Sequence, residues 1–397
     1  MDRTGMFAEA AAEPSGAESV LAETPRVLLV TNDFPPRVGG VQQYLWNLVR
    51  LLPPDRVAVI APNWPGWRRH DAGLAFPVHR WPSTFLWPTV DLGRRVRSLV
   101  REHRAEVVVF GHGLPLPLLA ATVAREGLPY VVMTHGAEVW LARSPGLGAA
   151  FRRVCRGARA VTAVSEYTAR LLRPSVPADV PLEVVPPGVD AHRFSPRVDG
   201  TPVRERLGLA RAPVVMCVSR LVPRKGQDVL IAGMGLVRSL APEAALLLVG
   251  EGPHRPVLER AARAAPPGSV VFAGQVSDDE LPAFYAACDV FAMPCRSRWA
   301  GLEVEGFGIV FLEAAAAGKA VVAGRSGGAP EAVADEDTGL LVEGAEPKAV
   351  ALAVGRLLVD QWVATRMGAA GRVRVERGFT WARQAAGLAG ILSRATG

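Results

Sequence analysis

Residues 301–313 read Gly-Leu-Glu-Val-Glu-Gly-Phe-Gly-Ile-Val-Phe-Leu-Glu and place two carboxylates, Glu305 and Glu313, around the start of an alanine-rich helix. Glu305 falls in the glycine-rich entry loop and Glu313 roughly a turn inside the helix. The amides of Gly306, Phe307, Gly308, Ile309 and Val310 would meet an anion at the helix start, where unpaired N–H groups and the macrodipole favour negative charge. Beside such a loop, Glu305 has the chemistry to accept hydrogen bonds from sugar hydroxyls and Glu313 from ribose hydroxyls. The plainer alternatives are a first-turn acid complementing the dipole for Glu305 and a solvated helix face for Glu313.

A second segment, residues 219–228, reads Ser-Arg-Leu-Val-Pro-Arg-Lys-Gly-Gln-Asp and follows an apolar run. Arg220 offers a fork of donors and Lys225 a compact charge, a pair suited to a diphosphate. If the diphosphate is a leaving group, these charges act on negative charge that grows in the transition state. The alternative is an exposed basic loop. Lysine is scarce: only Lys225, Lys319 and Lys348 among 45 basic residues.

Two further loops follow apolar runs. Residues 31–40, Thr-Asn-Asp-Phe-Pro-Pro-Arg-Val-Gly-Gly, end on Gly39 and Gly40 ahead of a helix. Their amides would approach an anion, or form a plain strand-to-helix turn. His135, in Thr134-His-Gly-Ala-Glu138, stands at a strand's carboxyl end beside glycine. It reads as a substrate contact, against the alternative of a packed or surface histidine. Asp335-Glu-Asp337 has a pattern that can hold a divalent metal, but it precedes Thr338-Gly339 in a turn and is read as solvated. No metal site is expected.

These residues need elements to hold them. Short apolar runs at 26–31, 56–61, 106–110, 130–134 and 160–164 read as strands buried on both faces. Helical stretches at 41–52, 92–103, 116–126 and 145–156 alternate with them. The alternation fails across the proline-rich residues 174–213 and restarts with strands at 214–218, 245–249, 270–273, 290–293 and 320–323. This pattern predicts an α/β chain of two doubly wound, Rossmann-like domains, with ligands outside the carboxyl ends of their strands in a shared central cleft. The expected boundaries are a disordered acidic tail over 1–25, a first domain over 26–200, a second domain over 201–379, and a terminal helix over 380–397.

Composition narrows the class. The 397 residues are 49% hydrophobic and 21% charged, enough for a sizeable core and too apolar for disorder. The net charge of +7 favours anionic partners. Four cysteines without metal-ligand spacing read as reduced thiols in a cytoplasmic protein. No apolar run reaches the ~18 residues of a membrane span, and the acidic start does not suit a signal peptide. Trp64, Trp67, Arg68, Arg69, Trp81, Phe85 and Trp87 precede a basic helix carrying Arg94, Arg95, Arg97, Arg101 and Arg104. Aromatics interleaved with arginines suit an anionic membrane interface, or else core tryptophans beside solvated arginines. No nucleic-acid recognition motif is present, and nucleic acid is not expected as a partner.

Taken together, the motifs resemble glycosyltransferase family 4, the retaining enzymes of the GT-B fold. The resemblance runs from Arg26 to about Trp381 and rests on the Glu305…Glu313 pair, residues 219–228, and Ser326-Gly-Gly-Ala-Pro-Glu331. Residues 32–40 and Phe291-Ala-Met-Pro294 look similar to the actinobacterial phosphatidylinositol-mannoside mannosyltransferases, which use GDP-mannose. The resemblance implies that Arg220 and Lys225 bind the donor diphosphate, Glu305 and the following amides its sugar, and Glu313 its ribose. It implies that Gly40 touches the phosphate, that His135 lies near the sugar, and that the base sits against Gln275 and Val276. It further implies transfer with retention, no essential metal, and an anionic lipid acceptor at the inner membrane face. Two alternatives stay open: the same class with a UDP-sugar or a soluble acceptor, and a non-catalytic nucleotide-sugar-binding module. A hydride-transfer enzyme is disfavoured, because no G-x-G-x-x-G follows the first strand.

Overall fold

The computed structural model describes residues 15–397. Two parallel sheets dominate it. The first contains β1 (Val27–Val30), β2 (Val57–Pro62), β3 (Val78–Trp81), β4 (Val107–Phe110), β5 (Tyr130–Thr134), β6 (Ala160–Ala163) and β7 (Leu182–Val184), in the order β3-β2-β1-β4-β5-β6-β7. The second contains β8 (Val214–Val218), β9 (Ala245–Val249), β10 (Val270–Gly274), β11 (Val290–Met293), β12 (Ala320–Gly324) and β13 (Gly339–Val342), in the order β10-β9-β8-β11-β12-β13. Both orders reverse beside the first strand of the sheet, which is the Rossmann-like arrangement.

The strands form where the sequence is continuously apolar. Residues of β1, β2, β4, β9 and β11 are buried throughout. Helices on both faces remove them from water, at about 1.5–3 kcal/mol for each large aliphatic side chain. Register is in step along the sheets: Val27 sits opposite both Val57 and Val107, and Val214 opposite Ala245. In the second sheet the core centres on Tyr285, Phe291 and Phe311, with Phe291 stacked edge-on against Phe311.

Some expectations are corrected. Residues 1–14 of the acidic segment lie outside those described, but Ser15–Ala22 form a helix. Thr24 is buried, its hydroxyl donates to the Leu21 carbonyl at 2.7 Å, and Arg56 donates to the Thr24 carbonyl at 2.7 Å. Alanine, leucine and glutamate favour the helix, and these bonds anchor its end. The helix expected at 116–126 is a 3-10 turn, Leu116–Leu119, followed by a short helix, Ala120–Ala124. Pro115 and Pro117 withhold two of the amide donors a continuous helix would use. Strands β3, β7 and β13 went unpredicted, because none is a fully buried apolar run.

By compactness the chain forms two units. One holds the described residues up to Gly111, together with Leu119–Val131 and Ala382–Gly397. The other holds His112–Leu118 and Val132–Trp381. The change from the first sheet to the second falls between Val184 and Val214. The terminal helix spans Trp381–Thr396 and is grouped from Ala382 onward with the first unit.

Candidate functional site

In the second sheet the strand order switches between β8 and β11, and the loops that leave these strands carry the chemistry. Gly226, in a left-handed conformation (φ +77°), lets the loop after β8 lie on the loop after β11; a Cβ there would stand 2.2 Å from the Pro294 carbonyl oxygen. Arg296 of the second loop donates its amide to the Arg224 carbonyl at 2.8 Å and ion-pairs with Asp228 at 2.8 Å.

This packing delivers two cations to one carboxylate. Lys225 Nζ lies 2.5 Å from Glu305 Oε2, and Arg224 Nη1 lies 2.9 Å from the same oxygen. Lys225 is 8% exposed and Glu305 7% exposed. Burial alone would push the Glu305 carboxyl up, but Lys225 and Arg224 outweigh it and hold it below the usual carboxylate range. Glu305 is therefore a fixed anion, with both cations gathered at one of its two oxygens.

Glu305 is pinned through its backbone as well. Its carbonyl accepts the Gly328 amide at 2.9 Å. Gly327, also left-handed (φ +57°), lies so close that a Cβ would sit 1.9 Å from that same carbonyl oxygen. Beyond Glu305, the amides of Gly306, Phe307 and Gly308 donate no hydrogen bond among the described residues, and the helix Ile309–Ala316 begins immediately after them. Ile309 and Val310 supply its first, unpaired N–H groups. The geometry is that of an anion-binding or hydroxyl-binding loop.

Glu313, one turn along, accepts a hydrogen bond from the Tyr285 hydroxyl at 2.7 Å. Burial raises its carboxyl to about 7, against the pull of Tyr285 and Arg193. Arg220 is exposed, and its side chain makes no hydrogen bond or ion pair among the described residues. Its guanidinium is open to a ligand. Gln275 and Val276 follow β10, whose last residue, Gly274, accepts the Gly250 amide at 2.7 Å.

His135 follows β5. A Cβ placed on Gly306 would stand 3.1 Å from the His135 carbonyl oxygen, so His135 and the Glu305 loop are neighbours within the second unit. Glu138 organises the turn around His135. One of its oxygens accepts the amides of His135 at 2.9 Å and Gly136 at 3.1 Å, and the other accepts that of Gly113 at 3.2 Å. The rings of His112 and His135 lie 5.0 Å apart. Burial would raise the Glu138 carboxyl, but His135, His112 and the backbone bonds hold it below its usual value.

Gly39 and Gly40 lie in the first unit, where Gly40 opens the helix Gly40–Val49 and Gly39 stands just ahead of it. Upstream, the Gln42 amide group donates to Asp33, which also pairs with Arg37 at 3.6 Å. In the Asp335–Asp337 turn, Asp335 pairs with Arg325 at 2.6 Å and Glu336 with Arg356 at 2.9 Å. His79, Glu102 and His103 bring ligand atoms within 4.8 Å of one another. Yet the two Nε2 atoms already share a hydrogen bond at 2.7 Å, and the Arg95 guanidinium stands 3.2 Å from Nδ1 of His79, where its charge opposes a cation. All four cysteines are buried, and burial pushes each thiol up to about 12, which removes them as nucleophiles at neutral pH.

Sequence reasoning paired Lys225 with Arg220 and assigned no role to Arg224, Tyr285 or Glu138. Arg224 stood beside Lys225 in the same motif, and Glu138 closed the histidine motif, so both were visible without a partner to give them meaning. Tyr285 carried no signal, because a tyrosine in an apolar helix reads as core.

Comparison with known proteins gives the family. Residues 38–193 match the family described as Glycosyltransferase Family 4, and residues 202–374 match Glycosyl transferases group 1. The chain is 46% identical over 374 residues to a GDP-mannose-dependent alpha-(1-6)-phosphatidylinositol monomannoside mannosyltransferase of Mycolicibacterium smegmatis, covering 92% of this chain and 98% of that one. A monoacylated-substrate counterpart from Corynebacterium glutamicum is 39% identical, covering 94% and 99%. Among solved structures, Anabaena HepE in complex with UDP and glucose superposes with a TM-score of 0.77 at 23% identity, covering 93% and 99%. WaaG, a glycosyltransferase of lipopolysaccharide biosynthesis, gives 0.64 at 18%, covering 91% and 99%. The two sheets thus have the GT-B glycosyltransferase architecture, and this chain is a glycosyltransferase belonging to family 4.

Proposed function

We propose that the enzyme transfers mannose from GDP-mannose to a phosphatidylinositol-mannoside lipid, with retention of anomeric configuration. The observation that carries this reading is the 46% identity sustained over 92% of the chain with a mannosyltransferase of that substrate class. The site supports it. Arg220 and Lys225 take the donor diphosphate, and the free amides of Gly306–Val310 with Glu305 hold the sugar. Glu313 holds the ribose, and Gln275 and Val276 border the base. His135 lines the sugar site.

In this mechanism the bond from the sugar's anomeric carbon to the diphosphate oxygen breaks as the acceptor hydroxyl oxygen bonds to that carbon on the same face. The acceptor proton passes to the departing phosphate oxygen. Arg220 and Lys225 stabilise the growing charge, in the role a divalent metal would otherwise fill. The reaction is accordingly proposed to need no metal.

The acceptor reading places the enzyme at the inner membrane face as a peripheral protein. No helix among the described residues is long and apolar enough to cross a membrane. Instead, Trp87 is 62% exposed and its ring packs at a tilt against Phe85, centroids 4.7 Å apart, just ahead of the helix Val90–Glu102. Arg94, Arg97, Ser98 and Arg101 line a cavity on that helix. Exposed aromatics beside arginines suit an anionic lipid surface.

A thermal-shift screen of GDP, UDP, ADP and dTDP, with and without magnesium, tests the donor. A ligand that binds only the folded state raises the melting temperature by mass action. A GDP-selective shift that ignores magnesium is expected. A UDP-selective or magnesium-dependent shift would overturn the donor assignment.

A further inference from the structure

The Ser326–Glu331 motif does more than support the loop beside it. The Glu331 carboxylate accepts the amide of Glu166 at 2.8 Å and that of Tyr167 at 2.8 Å. These are the first two residues of the helix Glu166–Leu172, which follows β6. The Ser165 hydroxyl accepts the Thr168 amide at 3.1 Å, so Glu331 and Ser165 together satisfy three of the orphan donors at that helix start. The bonds from Glu331 are charge-assisted and face the positive end of the helix dipole.

The turn that carries Glu331 is also tied to the Glu305 loop. The Gly328 amide donates to the Glu305 carbonyl at 2.9 Å. A Cβ on Gly328 would lie 2.3 Å from the Gly306 carbonyl oxygen and 2.9 Å from Ser165 Cβ, so this residue is wedged between the Glu305 loop and the end of β6. From the far side, Arg374 donates to the Glu331 carbonyl at 2.9 Å. Glu331 thus adds a charged link between two segments that also meet where Gly306 and Gly328 pack on Val164 and Ser165.

We propose that Glu331 is a positioning residue: by gripping the amides of Glu166 and Tyr167 it sets the Glu305–Val310 loop at the depth where its free amides and the Glu305 carboxylate reach the donor sugar. This inference rests on the proposed function for the identity of the sugar loop. Glu331 touches no diphosphate ligand in this scheme, so its loss should spare nucleotide affinity and damage transfer.

The test compares wild type, Glu331→Gln and Glu331→Ala by three measurements: hydrogen exchange, GDP thermal shift and steady-state kinetics. In Glu331→Ala, peptides spanning 164–168 and 326–331 should both exchange faster, because the Gly328 amide is bonded to the Glu305 carbonyl, while the GDP-induced shift stays at the wild-type size. Its kcat should fall about tenfold to a hundredfold, the scale at which a misplaced contact is felt. Glu331→Gln keeps one acceptor oxygen and should recover part of both losses. Wild-type kcat in Glu331→Ala, faster exchange at 164–168 without a change at 326–331, or an equal loss of GDP binding would each overturn the proposal. The exchange measurement needs no donor, so an inactive wild type with GDP-mannose would sink the substrate assignment while leaving the coupling of the two segments separately readable.

Discussion

Lys225 and Glu305, eighty positions apart in the chain, meet at 2.5 Å with both side chains buried. The contact joins the loop after β8 to the loop that opens the helix Ile309–Ala316, and it helps hold the Glu305 carboxyl ionised. A buried pair of this kind is weak evidence for stability as such, but removing one partner leaves an uncompensated charge. Lys225→Ala should therefore destabilise the protein by about 2–4 kcal/mol, somewhat softened by Arg224, and should also weaken GDP binding. Denaturant unfolding at pH 7 together with GDP titration measures both. Lys225→Met combined with Glu305→Gln should regain stability without regaining transfer.

Glu305→Gln alone separates sugar chemistry from nucleotide binding. The amide keeps the shape but loses the charge that both cations face. GDP affinity should hold within about twofold while kcat falls about 10²-fold or more, as when an electrostatic contact of the transition state is removed. Normal turnover in this variant would remove Glu305 from the mechanism.

The pH dependence of stability should carry two opposite contributions. The Glu305 carboxyl is held low in the fold, so its contribution is present above the unfolded value near 4.3 and is lost as pH falls through the depressed folded value. The Glu313 carboxyl is raised to about 7. The folded protein holds that proton more tightly than the unfolded chain, so its contribution is present below about 4.3 and is lost as pH rises towards 7. Glu313→Gln should remove this second slope and stabilise the nucleotide-free protein at pH 8 by at most about 4 kcal/mol. Melting temperatures of wild type and variant from pH 4 to pH 8 check the sign.

The aromatic and basic surface of the first unit gives a separate prediction. Replacing Phe85 and Trp87 with serine should lower binding to vesicles containing anionic lipid about tenfold, and neutralising Arg94, Arg95 and Arg97 should remove most of its salt dependence. GDP binding should not change in either variant. Co-sedimentation at two ionic strengths measures the effect, and unchanged binding in both variants would place the membrane contact elsewhere.

The parallel sheets were legible because buried strands must be continuously apolar: β5, β8, β9 and β11 coincide with the segments predicted from sequence. Strand β3 was not, because Val78-His-Arg-Trp81 is half-buried and lies between Pro77 and Pro82. Glu305, Glu313 and Lys225 were legible as motif residues, since glycine and charge at a strand's carboxyl end have few structural uses. Their partners were not. Arg224, Tyr285 and the amides that Glu331 grips become meaningful only when distant segments are brought together, and no local spacing encodes that meeting.

The central claim is tested most directly by incubating the purified enzyme with GDP-mannose and phosphatidylinositol monomannoside in the presence of EDTA, then analysing the lipid product by mass and anomeric NMR. The account predicts a lipid one hexose heavier, with a new α-linked mannose formed without added metal. Absence of transfer from GDP-mannose alongside transfer from a UDP-sugar, or transfer only to a soluble acceptor, would contradict it.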